Sequence, residues 1–349
     1  MSGIDSLTAE LRCRMRFGAI GNGERDTTKC GRVTRPAGFT ALSAASVATI
    51  VSEQQEADEK EGLAAEPSQT PLFHALESAR YARQNQVRGI EAETSRRLIA
   101  YIAGPQTSIG SIDIPPFVDL LDDVKAGESL DLMLHTPGGD IDQAERIVLL
   151  CRKRVKDAEF RVIVPDSAKS AGTLIAVAAD EIVMGEPSEL GPIDPQVFIT
   201  TASGEQMARP AQSFLDGLTE IQEKTGDGDL SPAYFPLLDK LDPALIDFCR
   251  KAIKRSEQFA AAFLKKYMLK DDPDRADAIA SDLGDVKKYL SHAAVIDSEK
   301  ARDLGLNIRF LEHDDPLWRA YWRLYVQMRL ALGTPDMRLY EGRKASLLV

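Results

Sequence analysis

The chain has 349 residues, 44% of them hydrophobic, and a formal net charge of −11. That length and apolar content supply the core of one large α/β domain or two modest ones, and the acidic balance argues against a nucleic-acid-binding chain, which carries a basic footprint. The four cysteines, Cys13, Cys30, Cys151 and Cys249, form no CxxC pair and no metal-ligand spacing, a usage suited to a reducing cytoplasm.

Residues 1–70 lack sustained apolar periodicity. Their glycines (Gly18, Gly21, Gly23, Gly31, Gly38) and a charged stretch over 53–61 read as a disordered leader, dispensable for the fold. Its most apolar run, 41–51, is rich in small residues and too far from Met1 for a secretory signal. No stretch reaches the roughly 18 uncharged apolar residues of a membrane span, so a cytoplasmic protein is expected. From Pro71 the pattern changes. Leu72, Phe73, Leu76, Ala79 and Tyr81 predict a helix, and 98–103 a buried strand. Alternation then sets in: helix over 117–124, strand over 130–134, helix over 141–155, strand over 160–164, a short and very apolar helix over 173–179, strand over 181–184. Repeated strand, turn and helix with short links predict an α/β fold with a parallel sheet and crossover helices. Residues 211–268 are helical in pattern, interrupted near Gly226-Asp227-Gly228 and at Pro243. A further αβ unit is predicted over 276–295, with the loop Ser291-His292, then a helix, a Gly305 turn and a last strand over 301–310. Trp318, Tyr321, Trp322, Tyr325 and Met328 fall at helical spacing, as a packing face or a subunit contact.

Two strand-to-helix turns carry the chemistry. His135-Thr136-Pro137-Gly138-Gly139-Asp140 follows the 130–134 strand, and Ser167-Ala168-Lys169-Ser170-Ala171-Gly172-Thr173 follows the 160–164 strand. Parallel topology sets consecutive strand ends side by side. The first turn offers glycine N–H groups, although Pro-Gly-Gly is also ordinary turn chemistry and Asp140 an ordinary N-cap. The second sets Ser170 at a helix N-terminus, where the dipole favours developing negative charge. The Ala171 N–H can donate to an oxyanion there. Capping is the competing use of Ser170, and Ser167 competes for both roles. His135 suits a satisfied strand-end histidine better than a base.

The runs LHTPGG (134–139), VIVPDSAKSAGT (162–173), AADEIVMG (178–185) and SELGPIDPQ (188–196) resemble the serine dehydrogenase proteinase family of the Clp-protease/crotonase superfamily. They are also similar to the SppA-type signal peptide peptidases. The resemblance covers residues 71–318 and is densest over 130–196. It implies a ClpP/crotonase-type spiral of ββα units with C-terminal helices. It also implies a serine peptidase acting on peptide or protein substrates, with Ser170 as nucleophile and an oxyanion hole in the Gly138-Gly139 turn formed by Gly139 and Ala171. A homo-oligomer is implied, and neither metal nor organic cofactor is indicated. The chain then divides into a leader (1–70), a catalytic domain (71–315) and a C-terminal aromatic helix and tail (316–349).

The Clp proteolytic subunit carries its histidine in a short Pro-rich segment after the serine. Here that segment reads GPIDPQ (191–196), with Asp194 in the place of the histidine. A carboxylate is a poor base toward serine unless desolvation raises its pKa. Three options for the base stay open. His292 is one, with a side chain suited to the role. Lys251 is another, by analogy with Ser-Lys dyads, although Leu245, Phe248, Cys249, Ala252, Ser256, Phe259 and Phe263 define the apolar face of its helix and Lys251 falls off it. The third is no base within the chain. Lys169 neighbours the nucleophile along the chain, where side chains rarely face each other, and Lys224 lies in a polar, Gly-rich stretch. A crotonase-like acyl-CoA enzyme and a non-catalytic scaffold are the alternatives of other classes.

Overall fold

The computed structural model describes residues 70–200, 204–225 and 242–349. Leader residues 1–69, with Cys13 and Cys30, and the break at 226–228 lie outside the described residues. Helices α1 (Pro71–Leu76) and α2 (Ser78–Thr94) precede β1 (Arg97–Ala103). Residues 98–103 are all buried and alternate between two cores. Ile99, Tyr101 and Ala103 join one; Leu98, Ala100 and Ile102 join the other. A strand covered on both faces reads as a continuous apolar run, which is the pattern seen here.

Next come α3 (Ile114–Asp122), β2 (Leu130–His135), α4 (Ile141–Val155), β3 (Phe160–Val164), the two-residue β4 (Ser167–Ala168), α5 (Ala171–Val177) and β5 (Glu181–Met184). β1, β2, β3 and β5 pair in parallel in that order, with α3, α4 and α5 as the crossovers that parallel neighbours require. All seven residues of α5 are buried, as its apolar composition predicts. Beyond β5 lie β6 (Glu189–Leu190), the hairpin β7 (Gln196–Thr200) and β8 (Gln206–Pro210), and helices α6 (Ala211–Thr225), α7 (Pro243–Lys266), α8 (Arg275–Leu283), α9 (Val286–Tyr289) and α10 (Ser298–Leu304). β9 (Ile308–Phe310) closes the parallel set beside β5. The chain finishes with α11 (Pro316–Ala331), β10 (Arg338–Glu341) and β11 (Ser346–Leu348). The large sheet has the order β11-β10-β1-β2-β3-β5-β9.

A second row of short pairings follows the ends of the parallel strands: Ile109 with Gly139, Thr136 with Ala168, β4 with β6, and Leu190 with Ile296. Each turn of the ββα spiral thus gives one strand to the large sheet and one short bridge to this row. The bridges sew the loops after β2, β3 and β5 together, and the candidate site lies among them.

One expectation is corrected. Residues 276–295 form α8 and α9 and contain no strand: Asp285 accepts hydrogen bonds from the N–H groups of Lys287 and Lys288, and this cap starts a helix where a strand was expected. In residues 316–349, the expected C-terminal aromatic helix and tail, β10 pairs antiparallel with β1 and α11 packs on the second face of the sheet. The aromatic stripe is mainly a packing face: Trp318, Tyr321, Tyr325 and Met328 are buried with Val87 and Ile90 of α2, and only Trp322, at 37%, is notably exposed. Among the described residues no helix is long and apolar enough to cross a membrane.

Candidate active site

The ends of β2 and β3 bring the two turns into contact. Thr136 N–H donates to Ser167 O at 3.0 Å, and Lys169 N–H to Thr136 O at 3.1 Å. Gly138 has φ +113°, and a Cβ built there would stand 2.8 Å from Ser170 Cβ and 2.9 Å from Lys169 O. Gly139 has φ +149°, and its Cβ would fall 2.2 Å from Ile109 N. Both positions need glycine, for conformation and for close approach. Asp140 caps α4, accepting from Asp142 and Gln143 N–H. The Gly138 N–H is engaged by Thr136 Oγ1 at 3.1 Å. Gly139 and Ala171 donate no hydrogen bond among the described residues, so two free N–H groups belong to the paired turns.

Ser170 occupies the N-cap position of α5, yet its hydroxyl makes no cap hydrogen bond and none elsewhere among the described residues. Its backbone is at φ 52°, ψ −115°, a region that L-residues rarely adopt and that clusters at functional sites. The competing cap role is therefore not what this serine does. Thr173 takes the local bonding instead, donating from Oγ1 to Ala168 O and standing 2.8 Å from Gly191 O.

Ser167 lies against His135, with its N–H 3.3 Å and its Oγ 3.4 Å from Nδ1. The Asp166 carboxylate is 3.7 Å from the same nitrogen. A serine–histidine–acid relay needs serine and acid on opposite ring nitrogens, so this trio is not arranged as one. His135 is buried, edge-on to Tyr325 with ring centroids 5.2 Å apart, as a satisfied strand-end histidine should be. Burial pushes its pKa down from the ordinary value near 6.5 to about 4, with Asp166 opposing the shift and Arg329 adding to it. The unfolded chain then binds a proton between those values that the native state refuses, so stability falls as pH falls from about 6.5 to about 4, by about 3 kcal/mol in all. His135→Asn keeps an acceptor for Ser167 N–H and removes the titration. Urea midpoints of the variant should lose less between pH 7 and pH 4.5 than those of the parent; equal losses would refute the assignment.

The structure joins two residues that the sequence left apart. His292 Nδ1 lies 2.8 Å from Asp194 Oδ1, across 98 residues of chain. Asp194 is 3% exposed, and its other oxygen accepts from Gln196 Nε2 at 2.6 Å. His292 sits in the 291–294 turn, closed by Ala294 N–H to Ser291 O at 3.1 Å. Leu190, four residues before Asp194, exchanges two backbone hydrogen bonds with Ile296, and the Lys169 ammonium spans both loops, donating to Leu190 O and Ala294 O. The pair thus belongs to the same cluster of loops as the serine turn, with no hydrogen bond between Ser170 and His292. Lys251 makes no hydrogen bond or ion pair with either turn among the described residues. Its side chain is 75% exposed and paired with Asp247 at 2.6 Å, the solvated flank its helix pattern predicts, although Phe248 of the expected apolar face is itself exposed. Lys224 is also exposed and paired with Glu220.

Residues 71–313 match the family of ClpP-like SDH-type serine proteinases. Two similar proteins come from Methanocaldococcus jannaschii. Uncharacterized protein MJ1495 is 31% identical over 233 residues, 64% of this chain and 70% of the relative. Uncharacterized protein MJ0137 is 32% identical over 214 residues, 58% of this chain and 65% of the relative. Among solved structures, a mutant of the 1510-N membrane-bound stomatin-specific protease aligns with a TM-score of 0.37 at 17% identity, over 64% of this chain and 84% of that one. ClpP1 from Listeria monocytogenes aligns with a TM-score of 0.34 at 12% identity, over 66% of this chain and 97% of that one. By the match over 71–313, which spans the parallel strands and both turns, the chain belongs to the ClpP-like SDH-type serine proteinase family.

Proposed function

We propose that the protein is a serine peptidase in which Ser170 is the nucleophile, Gly139 and Ala171 N–H groups receive the oxyanion, and His292, oriented by Asp194, is the general base. The observation that carries this is the unbonded hydroxyl of Ser170, held on a strained backbone against Gly138, beside two N–H groups without acceptors. In the first step the hydroxyl proton passes to His292 Nε2 as Oγ bonds to the peptide carbonyl carbon and the carbonyl oxygen becomes the oxyanion. The imidazolium, steadied through Nδ1–H by the Asp194 carboxylate, then protonates the departing amine. Water, deprotonated by the same ring, releases the acyl group. Hydrogen bonds of this kind often close only in the substrate complex, so the lack of a Ser170–His292 hydrogen bond here does not oppose the reading. Family membership supports peptide or protein substrates; a cytoplasmic homo-oligomer completes the proposal.

A fluorophosphonate probe tests it. The expected result is one covalent adduct per chain, mapped by mass spectrometry to the peptide carrying Ser170. Tight coenzyme A binding without labelling would favour the acyl-CoA alternative, and neither result would favour the scaffold.

A further inference from the structure

We infer that Lys169 is a positioning residue that sets the His292 turn against the nucleophile turn; this rests on the roles proposed for Ser170 and His292. Lys169 precedes Ser170 in the chain, and its backbone is part of the serine turn: its N–H donates to Thr136 O, and its carbonyl accepts from Gly172 N–H at 2.7 Å. Its side chain is only 14% exposed and leads away into the neighbouring loops. The ammonium lies 3.1 Å from Leu190 O, 3.2 Å from Ala294 O and 3.0 Å from Glu189 Oε1. An ammonium has three donors, and here each has its own acceptor.

The acceptors define the role. Leu190 leads into the segment that ends at Asp194. Ala294 closes the turn that displays His292. Glu189 anchors the charge on β6, which pairs with β4 just before Lys169. One side chain therefore ties the nucleophile's turn, the acid's segment and the base's turn together. The stem needs its own space as well: a Cβ at Gly191 would stand 2.7 Å from Lys169 Cδ. Hydrogen bonds to a charged group are stronger than neutral ones. A ring left free to drift by about 1 Å loses on the order of 100-fold in rate. The side chain is occupied in this clasp, so the base role weighed for lysines is not assigned to it.

A double-mutant cycle on the full chain separates positioning from general structural support. Lys169→Met keeps the apolar stem and removes the donors. Second-order labelling by the fluorophosphonate probe should fall about 100-fold in the parent background. It should change less than about twofold when His292 is already Ala, because a lost base cannot be mispositioned. Glu189→Gln, at a partly exposed site, loosens the clasp with little risk to folding and should show the same dependence on His292 at smaller size. Thermal melts check that each variant folds. Equal losses in both backgrounds would overturn the inference while leaving the peptidase intact. No effect of His292→Ala in the parent would overturn it through the base. An unlabelled parent would remove the peptidase reading itself.

Discussion

Ser170→Ala is expected to reduce peptide hydrolysis on the order of 10^4-fold or more and to abolish probe labelling, with stability unchanged to within about 0.5 kcal/mol. The small stability effect follows from the structure: the hydroxyl has no hydrogen-bond partner to lose, and alanine meets the same backbone strain at φ 52°. Ser170→Gly sharpens the test. Glycine adopts positive φ at no steric cost, so this variant should be as inactive as Ser170→Ala yet more stable by roughly 1 kcal/mol, the relief of strain less the entropy cost of glycine. Urea midpoints and labelling rates on the two variants check both halves. If Ser170→Ala is labelled like the parent and Ser167→Ala is not, the nucleophile is Ser167. If the glycine variant is no more stable than the alanine one, the backbone is not strained.

Gly138→Ala should lower the hydrolysis rate by about 100- to 1,000-fold, the usual cost of losing one oxyanion donor. The added methyl would press on Ser170 Cβ at 2.8 Å and on Lys169 O at 2.9 Å, from a backbone at φ +113°. The turns must then separate, and the Gly139 N–H moves with them. Gly139→Ala should instead show first as lost stability, because its methyl meets the Ile109 backbone at 2.2 Å and nothing flexible is there to yield. Gly204→Ala is the control: φ is +83° and a Cβ meets nothing within 4 Å, so it carries the conformational strain without the collision. The comparison reads kcat/KM beside the thermal midpoint for all three. Parental rates in a folded Gly138→Ala protein would mean that this turn does not serve the chemistry.

Much of the molecule was legible in the chain itself. The buried strands at β1, β2, β3 and β5, the helix α4 and its Asp140 cap, and the all-buried α5 follow from patterns within a few residues of each other. The adjacency of the Gly138-Gly139 and Ser170 turns also followed, because parallel strands joined by a crossover helix set consecutive strand ends side by side. The strand-end character of His135 and the solvated flank of Lys251 were visible in local patterning. Tertiary structure decided the rest. Residues 276–295 held enough apolar positions for a strand, and the Asp285 cap settled them as helix. The stripe from Trp318 to Met328 had helical spacing, but only the packing with α2 on the second face of the sheet showed that this chain covers most of it. Asp194 read as a missing histidine, and His292 as one option among several. Their pairing depends on Leu190 meeting Ile296 and on Lys169 reaching Ala294. Local sequence encodes propensities, turns and caps, which act over a few residues. A contact across 98 residues forms only when the whole spiral brings those loops together, so no spacing in the sequence announces it.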